Sequence, residues 1–324
     1  MKYMEIPYVD KKVSRILYGT AAQPFTAGLE ANELLNQVYQ TGVTAFDTAR
    51  NYGDAEKSLG IWLEECRMRE KVVILSKGGH PDSRMRSRIN EKEIREDLER
   101  SLECLRTDYI DIYLLHRDDP SVEAGRIVEI MNALHAEGKI GAFGGSNWTY
   151  QRIAQANDYA HRHGLIPFTV SSPNFGLAEQ ITDVWGGGCV TVSGPQNAEA
   201  RKWYSENQIP VIAYSSLGRG LFSGKLKSSQ ADEAEKILDP FAVKGYICAS
   251  NFERLRRCEI LAQKKNCTVP QIALAWIFHQ ALQTCAVVST AKVGRLQENV
   301  EALEIVLSEK EARYLDLEVD NFQS

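Results

Sequence analysis

Along the chain, short runs that are apolar nearly throughout alternate with longer segments in which apolar residues recur every three or four positions. The short runs are residues 15–18, 43–46, 72–75, 109–115, 140–143, 168–170, 210–214 and 286–288. Each is too short to be anything but a strand if it is regular. Helical spacing fills residues 29–40, 55–67, 91–105, 121–137, 150–163, 198–207 and 251–278. In 91–105, Ile94, Leu98, Leu102 and Leu105 form one stripe, while Glu93, Arg95, Glu96, Glu99 and Arg100 take the other face. Residues 1–12 read as a strand pair outside this repeat, and 309–317 as a final helix.

Strands apolar on both faces and separated by helices require a parallel sheet covered by helices. A closed (β/α)8 barrel and an open doubly wound sheet both satisfy that pattern. The count of eight strands favours the α/β (β/α)8 TIM barrel. So does the first strand, Arg15-Ile16-Leu17-Tyr18-Gly19-Thr20, which lacks the GxGxxG turn of a dinucleotide-binding sheet. No Pro/Gly/Ser linker or composition break divides the chain, so residues 1–324 read as one domain.

Composition narrows the class. With 44% hydrophobic and 25% charged residues and a formal charge of −5, the chain reads as a soluble globular protein, not a general nucleic-acid binder. It has no apolar stretch long enough to span a membrane, and the opening MKYMEIPYVDKK lacks the apolar centre of a secretory signal. The cytoplasm is the expected compartment. Seven scattered cysteines without a CxxC pair argue against a disulfide framework or a zinc site, and read as reduced, mostly buried thiols.

In such a barrel, chemistry gathers at the carboxyl ends of the strands. The second strand ends at Asp47 and leads to Tyr52, the third ends at Ser76-Lys77, the fourth at His116-Arg117 and the fifth at Gly145-Ser146-Asn147. Taken singly, each is ordinary: an aspartate after a strand is usually a helix cap, and a histidine usually a structural hydrogen-bonding residue. Together, Asp47, Tyr52, Lys77 and His116 form a coherent proton-transfer set. An ammonium beside a phenol favours the phenolate, so Lys77 is expected to lower the pKa of Tyr52, and Asp47 to keep Lys77 charged. His116 would donate a hydrogen bond to a substrate oxygen. Gly53 permits a tight turn after Tyr52, and Arg50 reads as a solvated loop charge.

The stretches FDTARNYGDAEKSLG, ILSKGG, YLLHRDD, GGSNW and VIAYSSLGRGLFSGKL occur in the order found in the aldo-keto reductase superfamily. The chain resembles that family from Gly19-Thr20 to Asn299. The resemblance implies a (β/α)8 barrel that binds an extended nicotinamide cofactor and reduces aldehydes or ketones. Its tetrad maps onto Asp47, Tyr52, Lys77 and His116, with Tyr52 as general acid. The carboxamide positions correspond to Ser146, Asn147 and a sixth-strand glutamine whose place is taken by Ser172. Tyr214 matches the nicotinamide-stacking aromatic, and Ser215, Ser216, Leu217, Gly218 and Arg219 match the pyrophosphate loop. Ser289, Thr290, Arg295, Glu298 and Asn299 fall in the segment that holds the adenosine 2′-phosphate. An arginine fork at Arg295 favours NADP(H), although Ser289 stands where many members carry lysine, leaving NAD(H) possible.

The expected partner is a small-molecule carbonyl substrate, without nucleic acid or membrane; the oligomeric state stays open. His80, Arg84, Arg86 and Arg88 form a basic loop that either attracts a substrate anion or is simply solvated. The long loop around Trp185 and three glycines is either a lid or a surface excursion. The tail ends soon after the last helix in DNFQS, which suits an open pocket for sugars or short carbonyls. Two other activities fit the same residues: a Schiff-base lyase using Lys77, and a cofactor-binding regulatory subunit.

Overall fold

A computed structural model describes residues 1–322. A hairpin of β1 (Tyr3–Met4) and β2 (Val13–Ser14) precedes eight parallel strands: β3 (Ile16–Gly19), β4 (Ala45–Asp47), β5 (Val73–Gly78), β6 (Ile110–Leu115), β7 (Ile140–Ser146), β8 (Val170–Ser172), β9 (Val211–Ala213) and β10 (Thr284–Val288). They close in the order β10-β3-β4-β5-β6-β7-β8-β9. The closing register pairs Tyr18 with Val288. The helices are α1 (Asn32–Gln40), α2 (Ala55–Glu65), α3 (Glu91–Leu105), α4 (Ala124–Ala136), α5 (Tyr150–His163), α6 (Ala198–Asn207), α7 (Ala234–Ile237), α8 (Pro240–Tyr246), α9 (Ala249–Lys265), α10 (Val269–His279), α11 (Val293–Glu301) and α12 (Glu309–Leu315). This is the (β/α)8 barrel expected from the sequence.

Successive strand residues face opposite sides, and that alternation places the site. Leu17, Ala45, Val73, Leu75, Ile112, Leu114, Ala142, Val170 and Ile212 share one buried cluster inside the barrel. Tyr18, Phe46, Ile74, Tyr113 and Phe143 belong to the cluster under the helices. The inward phase, carried to the strand ends, falls on Asp47, Lys77, His116, Ser146, Ser172 and Tyr214. Thr20 falls on the outward phase. At the opposite end the hairpin closes the barrel, with Ile6 and Val13 joining the interior cluster.

Two expectations change. The helical pattern over 251–278 is broken into α9 and α10: Asn266 adopts a left-handed cap at φ 52°, and Thr268 and Gln271 form a capping box with Pro270 in the first turn. A proline is tolerated there because its missing N–H has no intrahelical acceptor. The seven cysteines are free, but only Cys258 and Cys285 are fully buried. The tail packs back through Phe322, whose ring lies 4.8 Å from that of Tyr314, and residues 323–324 of the expected short tail lie outside the described part. Among the described residues, no helix is long and apolar enough to cross a membrane.

Candidate active site

The carboxyl ends of the strands open into a cavity of ≈ 1070 Å³, at the upper end of the roughly 300–1,000 Å³ usual for ligand sites. At its base Lys77 Nζ lies 2.5 Å from Asp47 Oδ1, with side-chain exposures of 3% and 6%. The same ammonium donates to Thr48 O at 2.9 Å. Above it stands Tyr52, with Nζ 5.1 Å from the ring centroid. The His116 ring meets that of Tyr52 edge-on at 5.7 Å. The tetrad is therefore assembled, each member lining the cavity.

The loop carrying Tyr52 is fixed by its backbone. Thr48 N donates to Leu75 O, Arg50 N to Lys77 O, and Asp54 N to Thr26 O at 3.1 Å. Gly53 has φ +61°, and a Cβ there would stand 2.5 Å from the Thr26 carbonyl oxygen. Glycine is thus required by conformation and by space. Arg50 is not the solvated charge expected: it pairs with Glu56, which is fully buried and also accepts from Ser76 Oγ at 2.6 Å. A buried carboxylate needs such a partner, and the pair ties the Tyr52 loop to α2 and β5.

The electrostatics correct one expectation. Burial dominates at Tyr52 and raises its pKa; the opposing pull of Lys77 does not overcome it, and Asp47 pushes the same way as burial. The phenol is therefore held protonated instead of being acidified. At Lys77, burial opposes the ammonium, but Asp47 and Tyr52 outweigh it and the pKa rises. Burial raises the Asp47 carboxyl against the pull of Lys77. His116 is driven well below the usual imidazole value by burial, then by Lys77, Arg117 and His80. Its neutral ring has a buried Nδ1 without a hydrogen-bond partner. Burial also lowers the pKa of His80, whose Nδ1 donates to Pro81 O at 2.9 Å; its ring lies 5.1 Å from that of His116.

Of the residues matched to cofactor positions, Gly19, Ser146, Asn147, Tyr214, Ser215, Ser216, Leu217, Arg219, Ser289, Thr290, Arg295, Glu298 and Asn299 line the cavity. Thr20, Ser172 and Gly218 do not. Thr20 is buried and donates its hydroxyl to Asp47 O at 3.0 Å. Ser172 has the inward phase, but its hydroxyl donates to Ile212 O at 2.8 Å. Ser172 O accepts from Ser146 Oγ at 3.0 Å, so its contribution is to brace a neighbour. Gly218 is buried, with a conformation at φ +57° that shapes the loop.

Asn147 sits at the centre of the cavity's polar wall. Its Oδ1 accepts from Tyr214 OH at 2.7 Å and Val190 N at 3.2 Å, and its Nδ2 donates to His116 O at 3.3 Å. At the far end, Tyr18 OH donates to Thr290 O at 2.8 Å, and α11 presents Arg295, Glu298 and Asn299. Ser215, Gly218, Arg219 and Gly220 all have positive φ, and the loop closes on itself as Gly218 N donates to Ser215 O at 2.8 Å and Gly220 N to Leu217 O at 3.1 Å. Burial raises the Cys189 thiol to about 11, so this cavity residue is a neutral thiol.

The basic loop does not supply the pocket's charge. Arg86 pairs with Asp82 and Glu93, and Arg88 with Glu93 and Asp97. Only His80 of that group lines the cavity. The glycine-rich loop does reach it: Trp185 stacks on Phe241 of α8 at 5.1 Å and 17°, with the Arg219 guanidinium 4.6 Å from the indole. Asp239, at the cap of α8, holds Arg219 at 3.2 Å. Asp239 and Phe241 lie in a stretch without a long periodic pattern or a quoted motif, so nothing in the sequence pointed to them. Arg117 was visible beside His116, but not its placement in the cavity.

Sequence comparison agrees with this architecture. The family model described as the aldo/keto reductase family matches residues 15–318. Aldo-keto reductase str7 of Strobilurus tenacellus is 27% identical, covering 87% of this chain and 79% of the relative. Probable aldo-keto reductase 1 of Glycine max is 29% identical, covering 86% and 76%. Norsolorinic acid reductase A of Aspergillus parasiticus is 27% identical, covering 87% and 70%. A barrel of eight parallel strands and a match across nearly its whole length place this chain in the aldo/keto reductase family, as an oxidoreductase.

Proposed function

We propose that the protein reduces a small aldehyde or ketone to the alcohol with NADPH, and that Tyr52 delivers the proton. The observation carrying this reading is the Tyr52 ring at the cavity wall, backed by the buried Lys77–Asp47 pair and met edge-on by His116. A bound dihydronicotinamide supplies the hydride for the carbonyl carbon.

The chain's own residues do the rest. As negative charge grows on the carbonyl oxygen, Tyr52 passes its hydroxyl proton to it, and the ammonium of Lys77 stabilises the phenolate left behind. Burial that keeps the phenol protonated in the resting protein suits a general acid, because the proton is present when needed. His116, neutral, holds the carbonyl oxygen by hydrogen bonding without adding a competing charge. Asn147 and Ser146 would hold the carboxamide, Tyr214 the face of the ring, and the loop from Ser215 to Arg219 the pyrophosphate.

The cavity's lining fits such a cofactor: Arg219 stands in the loop after β9 and an exposed Arg295 at the α11 end. Arg295 makes no ion pair among the described residues, which leaves its fork free for a 2′-phosphate and favours NADPH over NADH. The Schiff-base alternative is disfavoured, because an imine-forming lysine must be a free amine and Lys77 is held as an ammonium.

Tyr52→Phe tests the assignment. The variant is expected to bind NADPH with the parental affinity, read by quenching of protein fluorescence, while aldehyde reduction falls by about 10²-fold or more. Reduction at the parental rate would remove Tyr52 from the chemistry.

A further inference from the structure

Arg117 is a buried cation that forms no ion pair among the described residues. It follows His116 at the end of β6, is 7% exposed, and lines the cavity. Its guanidinium makes one hydrogen bond, Nη1 donating to His116 O at 3.0 Å. Among the described residues no carboxylate lies within 4 Å of it, and Asp183 feels its charge without pairing with it. Asp118 pairs with Arg152 at 3.1 Å. Asp119 accepts from Ser121 N at 3.0 Å and Ser121 Oγ at 2.6 Å. Asp183 accepts from Trp185 N at 2.8 Å and Cys189 N at 2.9 Å. Asp47 and Asp239 are matched by Lys77 and Arg219.

A guanidinium cannot shed its proton, and a buried charge without a directly paired counter-charge is costly to fold. Such an arrangement is stable in use when a ligand brings the missing anion. The location says which ligand. The charge of Arg117 acts on Tyr52, His80 and His116 on one side and on Asp183, Cys189 and Tyr214 on the other. It therefore sits between the proton-transfer residues and the glycine-rich loop. Trp148 Nε1 donates to Arg117 O at 3.3 Å, fixing the backbone. A Cβ on Gly188 would lie 3.8 Å from Arg117 Cδ, so the loop covers the side chain.

We propose that the substrate is a carbonyl compound bearing a carboxylate, which Arg117 receives while the carbonyl reaches Tyr52 and His116. This rests on the reductase reading and names the substrate class for it. With Nη1 engaged by His116 O, the Nε and Nη2 edge remains, and two parallel N–H groups match the two oxygens of a carboxylate. One guanidinium without an ion-pair partner matches one carboxylate.

The test compares 4-carboxybenzaldehyde with its methyl ester, in the full chain with NADPH. The wild type is expected to show kcat/KM for the acid about tenfold or more above that for the ester, the range set by a charge-assisted hydrogen bond. Arg117→Met is expected to cut that preference by about the same factor, mainly through KM, and Arg117→Lys to keep part of it. A preference unchanged in Arg117→Met, or equal losses for both substrates, overturns the proposal. So does a matching loss of NADPH affinity, which would assign Arg117 to the cofactor. If Arg117→Met does not fold, the wild-type preference decides alone, and its absence is fatal. A separate arm measures benzoate against benzamide by calorimetry on the NADPH-saturated protein. If neither aldehyde is turned over but benzoate binding still depends on Arg117, the reductase reading fails and the anion site stands.

Discussion

Replacing Lys77 by methionine tests whether the base of the cavity is a true buried ion pair. The substitution keeps the volume of the stem and removes the ammonium, which lies 2.5 Å from Asp47 Oδ1 and donates also to Thr48 O. Breaking a buried pair by removing one partner costs about 3–5 kcal/mol, because the other charge is left without compensation, whereas removing both is often nearly neutral. Lys77→Met should therefore lose about 3–5 kcal/mol, and Asp47→Asn/Lys77→Met should regain most of it. The pH dependence has a definite sign. Without Lys77 the raised pKa of Asp47 rises further, so its cost is present at high pH and relieved as the pH falls and the carboxyl takes up a proton. The deficit of the single variant should thus shrink between pH 8 and pH 5. Urea unfolding followed by circular dichroism at both pH values reads each quantity. Equal losses in the single and double variants, or a single variant as stable as the parent, would show that the pair is not the buried ionic contact described here.

Gly53→Ala should destabilise by about 1–2 kcal/mol for the left-handed backbone alone, and by more because of the Thr26 carbonyl 2.5 Å from the new methyl. Gly138→Ala, at φ +74° with nothing within 4 Å, should pay only the conformational part, and equal unfolding midpoints for the two would refute the steric account. Arg295→Ala should weaken NADPH binding far more than NADH binding by fluorescence titration; equal losses would count against a phosphate role. Asp316 accepts from Trp276 Nε1 at 3.1 Å, and burial raises its pKa to about 6. A raised carboxyl favours folding while protonated and costs stability as the pH rises through that value, by at most about 3 kcal/mol. Asp316→Asn should accordingly raise the melting temperature at pH 8 but not at pH 4, and no difference between the two would contradict the burial of that carboxyl.

The sequence by itself determined the strand and helix alternation, and the count of eight strands favoured the barrel over an open sheet. Their place at the strand ends also made Asp47, Lys77 and His116 legible as neighbours, because residues that close adjacent parallel strands of a barrel gather at one mouth. Local signals for the α9 and α10 break were present too, in Asn266, Thr268, Pro270 and Gln271. What the tertiary structure alone decided concerns charge and its surroundings. The guanidinium groups of Arg50, Arg86, Arg88 and Arg117 read alike in the sequence, yet three are paired with carboxylates and one faces the cavity without one. The direction of the Tyr52 pKa was equally hidden, since it depends on whether desolvation or the nearby ammonium is stronger, and both are set by how the whole fold packs. Secondary structure follows from local spacing, whereas electrostatics sums over groups that only folding brings together.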